Sequence, residues 1–200
     1  CAFFHQLTTL RRRLLTLACT VGLLVLLTEC GGDDTAETGD QAAPSAAASR
    51  GPIPGKVRDV GHEPVPTLTL ETLDGASIDL AARNGELLLV NFWATWCAPC
   101  REEIPDLKSL HTDFENLTVI GVALDRKGRE VVKPFAQKLE INYPIVIDKS
   151  GAAEAEFGPI PGLPTTVLVT PDGQVTKRVV GIFPTEEMRP TLKKMLSGEA

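Results

Sequence analysis

Seven residues from Leu87 to Trp93, apolar except for Asn91, lead through Ala94-Thr95-Trp96 into Cys97-Ala98-Pro99-Cys100. A strand without a polar face belongs in the middle of a sheet covered on both sides. After Trp96 the chain turns into a helix, and two thiols at positions i and i+3 of a first helical turn can close a disulfide with little backbone movement. Cys97 falls at the helix N-terminus, where unpaired amides and the positive end of the macrodipole favour a thiolate, the attacking species in thiol–disulfide exchange. Apolar spacing continues from Cys100 through Ile104, Leu107, His111 and Phe114. The second sulfur therefore faces the interior and suits a shielded resolving thiol.

The same cysteine spacing also serves metals, but a structural zinc site needs two further ligands at comparable spacing. Cys1, Cys19 and Cys30 lie far upstream, and His5, His62 and His111 form no cluster in the sequence. No metal site is expected. An inert structural disulfide is the remaining alternative to a redox pair.

Elements of an α/β sheet surround the dithiol. Thr67 to Leu70 and Ser77 to Asp79 read as a hairpin about Leu73-Asp74-Gly75. Strand Leu117 to Leu124, helix Arg129 to Leu139, strand Ile145 to Ile147 and helix Ala152 to Phe157 follow. A second hairpin, Val167 to Thr170 with Gln174 to Gly181, turns at Pro171-Asp172-Gly173, and a helix from Glu186 to Leu196 closes the domain. Pro105 lies inside the dithiol helix, where it removes a donor and should bend one continuous helix.

The run Val90-Asn91-Phe92-Trp93-Ala94-Thr95-Trp96-Cys97-Ala98-Pro99-Cys100-Arg101-Glu102-Glu103-Ile104-Pro105 resembles the TlpA/ResA-like exported branch of the thioredoxin superfamily. The resemblance extends from about Pro64 to Leu196. It implies a thioredoxin-like three-layer α/β sandwich with an N-terminal β-hairpin and a central helix–strand insertion. It also implies a redox-active disulfide between Cys97 and Cys100, with no further cofactor. Pro164, in Gly162-Leu163-Pro164-Thr165-Thr166, becomes the cis-proline facing the dithiol, and Trp96, Pro99, Leu163 and Pro164 become the substrate-binding residues. A cis Leu163-Pro164 bond would offer the Leu163 backbone to an extended substrate as an added strand. The preceding Phe157-Gly158-Pro159-Ile160-Pro161-Gly162 is proline-dense and longer than the family's usual approach, so the lip of the site should differ in shape.

Two acidic positions tune the pair. Thioredoxins carry a buried aspartate six residues before the first cysteine; here Asn91 stands there. Glu103 matches a glutamate of the TlpA/ResA-like branch and can replace the missing base, raising the thiol pKa values when ionised and exchanging a proton with Cys100. Glu102 is read as a complement to the helix dipole.

The first thirty residues follow a different grammar. Arg11-Arg12-Arg13 precede Leu14 to Thr28, fifteen residues without a charge, as in an export signal. Residues 1–30 are therefore read as a signal or membrane anchor, residues 31–63 as a flexible tether rich in Ala, Gly, Ser, Pro and Asp, and residues 64–200 as the thioredoxin-like domain. Cys30-Gly31-Gly32 resembles the mature start of a bacterial lipoprotein, which makes Cys30 a lipidation candidate, although Glu29 precedes it where a small residue is usual.

The formal net charge is −6; residues 29–200 hold 17 basic against 26 acidic side chains, a net −9. An acidic surface gains nothing from counterion release, so nucleic acid is excluded as an expected partner. The resemblance implies exported proteins with disulfides as substrates, apocytochrome c among them, and a membrane-embedded thiol carrier as electron donor at the extracytoplasmic face of the membrane. Two other activities occur on related folds. A peroxiredoxin-like peroxidase would want a proline and a threonine where Val90 and Ala94 stand, and a copper-binding metallochaperone wants a distal histidine, whereas none follows His111.

Overall fold

A computed structural model describes residues 54–198 apart from Asn84. In chain order the elements are β1 (Lys56–Pro64), β2 (Thr69–Glu71), β3 (Ser77–Asp79), β4 (Leu87–Trp93), α1 (Ala98–Asp113), β5 (Leu117–Ala123), α2 (Arg129–Lys138), β6 (Ile145–Ile147), α3 (Ala152–Glu156), β7 (Thr165–Val169), β8 (Gln174–Val180) and α4 (Thr185–Ser197). Six strands form one sheet in the order β1-β8-β7-β4-β5-β6. β4 pairs in parallel with β5 and antiparallel with β7.

Every residue of β4 is buried, because both faces of the sheet are covered. Leu89, Trp93, Val119 and Ala123 meet Leu107 and Leu110 of α1, Val132 of α2 and Leu192 of α4 on one face. On the other, Leu88, Val90, Phe92, Ile120 and Val122 meet Leu70 and Ile78 of the small hairpin and Ala153 of α3. These are the three layers expected. Truncating Leu107, which has no exposed surface, to Ala should cost about 2–5 kcal/mol through lost transfer energy and the cavity left behind.

β2 and β3 pair as a separate two-stranded sheet, with the first strand starting two residues and ending one residue later than the sequence suggests. Their turn closes with Thr72 N donating to the Ala76 carbonyl at 2.8 Å and with Gly75 at φ 93°, a left-handed value that glycine adopts freely. Leu73 N then reaches the Ile145 carbonyl at 2.6 Å, which ties the hairpin to β6. Between α1 and β7 lie β5, α2, β6 and α3, and β6 adds a strand beyond β5. α1 runs unbroken through Pro105.

The expected boundary at residue 64 requires correction. Residues 56–63, assigned to the tether, lie in β1, which pairs antiparallel with β8 at the sheet edge. All of β1 is exposed except half-buried Val60, so the strand carries no apolar alternation to betray it. Its pairing comes from backbone bonds that polar edge residues make as well as any. The signal segment, Cys30 and the remainder of the tether lie outside the described residues. Among the described residues, no helix is long and apolar enough to cross a membrane.

Candidate active site

β4 ends at Trp93, and the turn that follows is held from the neighbouring strand's end. Asp125, buried just beyond β5, accepts from Thr95 N at 3.0 Å and from Thr95 Oγ1 at 2.6 Å. Both carboxylate oxygens are thus spent on one residue two positions before Cys97. Trp96 is left 70 % exposed; Val57, in β1, is the other large exposed hydrophobic among the described residues.

Cys97 is the N-cap of α1, with extended φ and ψ of −79° and 110°. Its Sγ accepts from Cys100 N at 3.2 Å, satisfying one of the orphan donors of the first turn. Pro99 sits within that turn, where a missing amide hydrogen costs nothing. Cys97 and Cys100 are joined in a disulfide, S–S 2.00 Å, with Cα atoms 5.3 Å apart. Cys97 retains 5 % exposure and Cys100 none, which gives an incoming disulfide access to Cys97 first. The oxidised form is therefore the state described.

Glu103, one turn along α1 from Cys100, is 1 % exposed. Its Oε1 accepts from Asn91 Nδ2 at 2.7 Å and its Oε2 from Phe183 N at 2.9 Å, across the turn between β8 and α4. Both partners donate, an arrangement that fits an ionised carboxylate. Burial nonetheless dominates and lifts the carboxyl from an ordinary 4.5 to about 7, against the two hydrogen bonds and with a smaller push from Asp106. The first turn of α1 holds no acidic residue, and Glu103 points inward, so it does not serve the helix dipole at the surface. Glu102 is exposed.

Sheet pairing brings the second half of the site to the first. Phe92 faces Thr165 and Asn91 faces Thr166 across β4 and β7, so the residues just before β7 lie beside the turn that follows β4. The Leu163-Pro164 bond there is cis. Pro164 is buried and its carbonyl accepts from Gly181 N at 2.9 Å, while half-buried Leu163 packs against both apolar clusters, one of which contains the two cysteines. Trp96, Cys97, Pro99, Cys100 and Glu103 thus gather at the head of α1, with Leu163 and Pro164 alongside.

Three contributors escaped the sequence reading. Asn91 was visible as a polar residue in an apolar strand, but its use as the donor to Glu103, with a second bond to Thr166 Oγ1 at 3.0 Å, needs the fold. Phe183 contributes only its backbone amide, which no side-chain pattern announces. Asp125 is separated from Thr95 by thirty positions and meets it only because β4 and β5 are adjacent. His111, placed on the apolar stripe of α1, is half-buried and its Nδ1 accepts from Val119 N at 3.4 Å; burial holds its pKa below the ordinary value. Among the described residues there is no group of three or more His, Cys, Asp or Glu side chains placed to hold a metal ion.

Comparison with known proteins agrees with this geometry. The AhpC/TSA family profile matches residues 61–178. The thiol-disulfide oxidoreductase ResA of Bacillus thuringiensis subsp. konkukian is 33% identical over 138 residues, 68% of this chain and 79% of the relative. Among solved structures, a thioredoxin-family thiol:disulfide interchange protein of Chlorobium tepidum TLS superposes with a TM-score of 0.61 at 29% identity, over 70% of this chain and 99% of that one. A secreted Mycobacterium tuberculosis disulfide oxidoreductase, homologous to DsbE of E. coli, gives 0.56 at 25% identity, over 66% and 96%. With the disulfide at the head of α1 and these relatives on either side of it, the chain belongs to the AhpC/TSA family and is a ResA-like thiol-disulfide oxidoreductase.

Proposed function

We propose that this oxidoreductase works outside the cytoplasm as a reductant of disulfides in exported proteins, held at the membrane by its N-terminal segment. The observation that carries the direction is Glu103, a carboxyl buried one helical turn from Cys100, where burial pushes its pKa up to about 7. Its ionised form disfavours thiolates and so favours the disulfide over the dithiol, which is what a reductant requires. About 30 mV corresponds to 1.4 kcal/mol for this couple, a size one carboxylate can supply.

The reaction follows from access. The Cys97 thiolate attacks one sulfur of a substrate disulfide, the S–S bond breaks, and one substrate thiolate leaves. A mixed disulfide remains, aligned along the Leu163 backbone with Trp96, Pro99 and Pro164 around it. Cys100 then loses its proton to the Glu103 carboxylate and attacks Cys97 Sγ, releasing the second substrate thiolate. The substrate gains two electrons, and the protein ends with the disulfide.

Restoring the dithiol in an oxidising compartment needs electrons from across the membrane, so a membrane-embedded thiol carrier is the proposed donor. The redox-active disulfide is proposed to work without another cofactor. The secreted mycobacterial relative supports export, and the charge-free stretch Leu14 to Thr28 supports a signal or anchor. Cys30 is the proposed lipidation site, and haem-attachment cysteines of apocytochrome c belong to the proposed substrate class.

Cys100→Ser tests the assignment of roles. In cell-envelope extracts it should accumulate mixed disulfides with exported proteins through Cys97, whereas Cys97→Ser should trap none and lose all turnover. Equal residual turnover in both variants would reject the roles.

A further inference from the structure

The segment leading from α3 to the cis bond is Phe157-Gly158-Pro159-Ile160-Pro161-Gly162-Leu163-Pro164. Pro159, Pro161 and Pro164 carry no amide hydrogen, so this segment has few donors with which to close turns on itself. Its carbonyls need donors from elsewhere. Arg178 on β8 supplies them: Nη1 donates to the Pro159 carbonyl at 2.9 Å, and Nη2 donates to the Phe157 carbonyl. Two further anchors fix the ends. The Phe157 ring stands edge-on to Phe92 of β4 with centroids 5.6 Å apart, and Thr165 Oγ1 donates to the Gly162 carbonyl at 2.7 Å. Between these ends the guanidinium fork is, among the described residues, the one side chain that bridges two carbonyls of the lip, and a flexible ammonium cannot reproduce that planar geometry.

We propose that Arg178 is a positioning residue for polypeptide substrates: by clamping the Phe157 and Pro159 carbonyls it sets where the Leu163 backbone stands beside Cys97. The inference rests on the proposed reading that an extended substrate lies along Leu163 as an added strand. A small disulfide reaches Cys97 without that strand, so the two substrate classes should respond differently to loss of the clamp.

Arg178→Met and Arg178→Lys separate the effect from simple loss of fold. Initial rates would be measured with insulin as the polypeptide disulfide and with glutathione disulfide as the small one, together with reduction potential and melting temperature. KM for insulin should rise on the order of tenfold in Arg178→Met and less in Arg178→Lys, with kcat, the glutathione disulfide rate and the potential unchanged. An unchanged KM for insulin in a folded variant, or an equal loss on both substrates, would overturn the assignment. Should Arg178→Met fail to fold, Arg178→Lys decides by the same criterion. A wild-type protein that reduces glutathione disulfide but not insulin would instead overturn the polypeptide reading itself, and the role of Arg178 with it.

Discussion

Asn91 Nδ2 stands 2.7 Å from Glu103 Oε1, so the one polar residue of β4 serves as hydrogen-bond donor to the buried carboxyl of α1. β4 keeps a neutral amide with two acceptors, Glu103 and Thr166, and α1 carries the titrating group.

Removing that donor should change the titration in a fixed direction. Asn91→Ala takes away a bond that stabilises the ionised form, so the Glu103 midpoint should rise by about one unit. Carboxyl NMR of the oxidised protein across pH reads this directly. A midpoint that falls would contradict the hydrogen-bond assignment.

Glu103 also makes stability depend on pH. Its folded pKa of about 7 lies above the ordinary 4.5, so between these values the native state holds a proton that the unfolded chain has released. Stability therefore falls as pH rises through this window, by about 3 kcal/mol for this group alone, which adds no slope outside it. Denaturant unfolding of the oxidised protein at pH 4.5 and pH 8 should show a difference that Glu103→Gln removes. The same slope in wild type and variant would place the ionisation elsewhere.

In the reduced protein, Glu103→Gln should lower the thiol titration. Without a carboxylate one turn away, the Cys100 thiolate loses a repulsive neighbour, and its midpoint should drop by about one unit. Alkylation rates of Cys97→Ser, with Cys100 as its reactive thiol at the site, measure this. A midpoint that rises would mean the carboxyl stabilises the thiolate.

The turn before Cys97 depends on Asp125. Asp125→Ala leaves Thr95 N and Thr95 Oγ1 without their partner and should cost about 1–3 kcal/mol. Since Trp96 follows immediately, its fluorescence anisotropy should fall in the variant. Unchanged stability and anisotropy would show that the turn holds without this bond.

Much of this architecture was readable from the sequence, for reasons particular to each part. β4 and β6 appear at their expected limits because buried strands carry their burial in composition. β7 starts earlier than its apolar residues suggest, since Thr165 and Thr166 are buried by pairing with β4 despite their hydroxyls. β1 was illegible, because an exposed edge strand is defined by backbone pairing with β8 and not by side-chain pattern. At the site, Cys97, Cys100 and Pro164 stood out as motif residues. Glu103 could be placed on the Cys100 face of the helix, yet its burial depends on Asn91 and the Phe183 amide arriving from β4 and from the turn before α4. Arg178 belongs to the same class: its hydrogen bonds cross about twenty residues of chain, which no local spacing encodes.

The most direct test is a redox titration of the purified protein against a graded thiol–disulfide buffer at pH 7, following free Cys97 and Cys100 by mass. The expected result is a reversible two-electron interconversion with a midpoint below about −220 mV, raised in Glu103→Gln. A pair that stays oxidised or stays reduced across the range would contradict the redox role, and a midpoint near −120 mV would make the protein an oxidant.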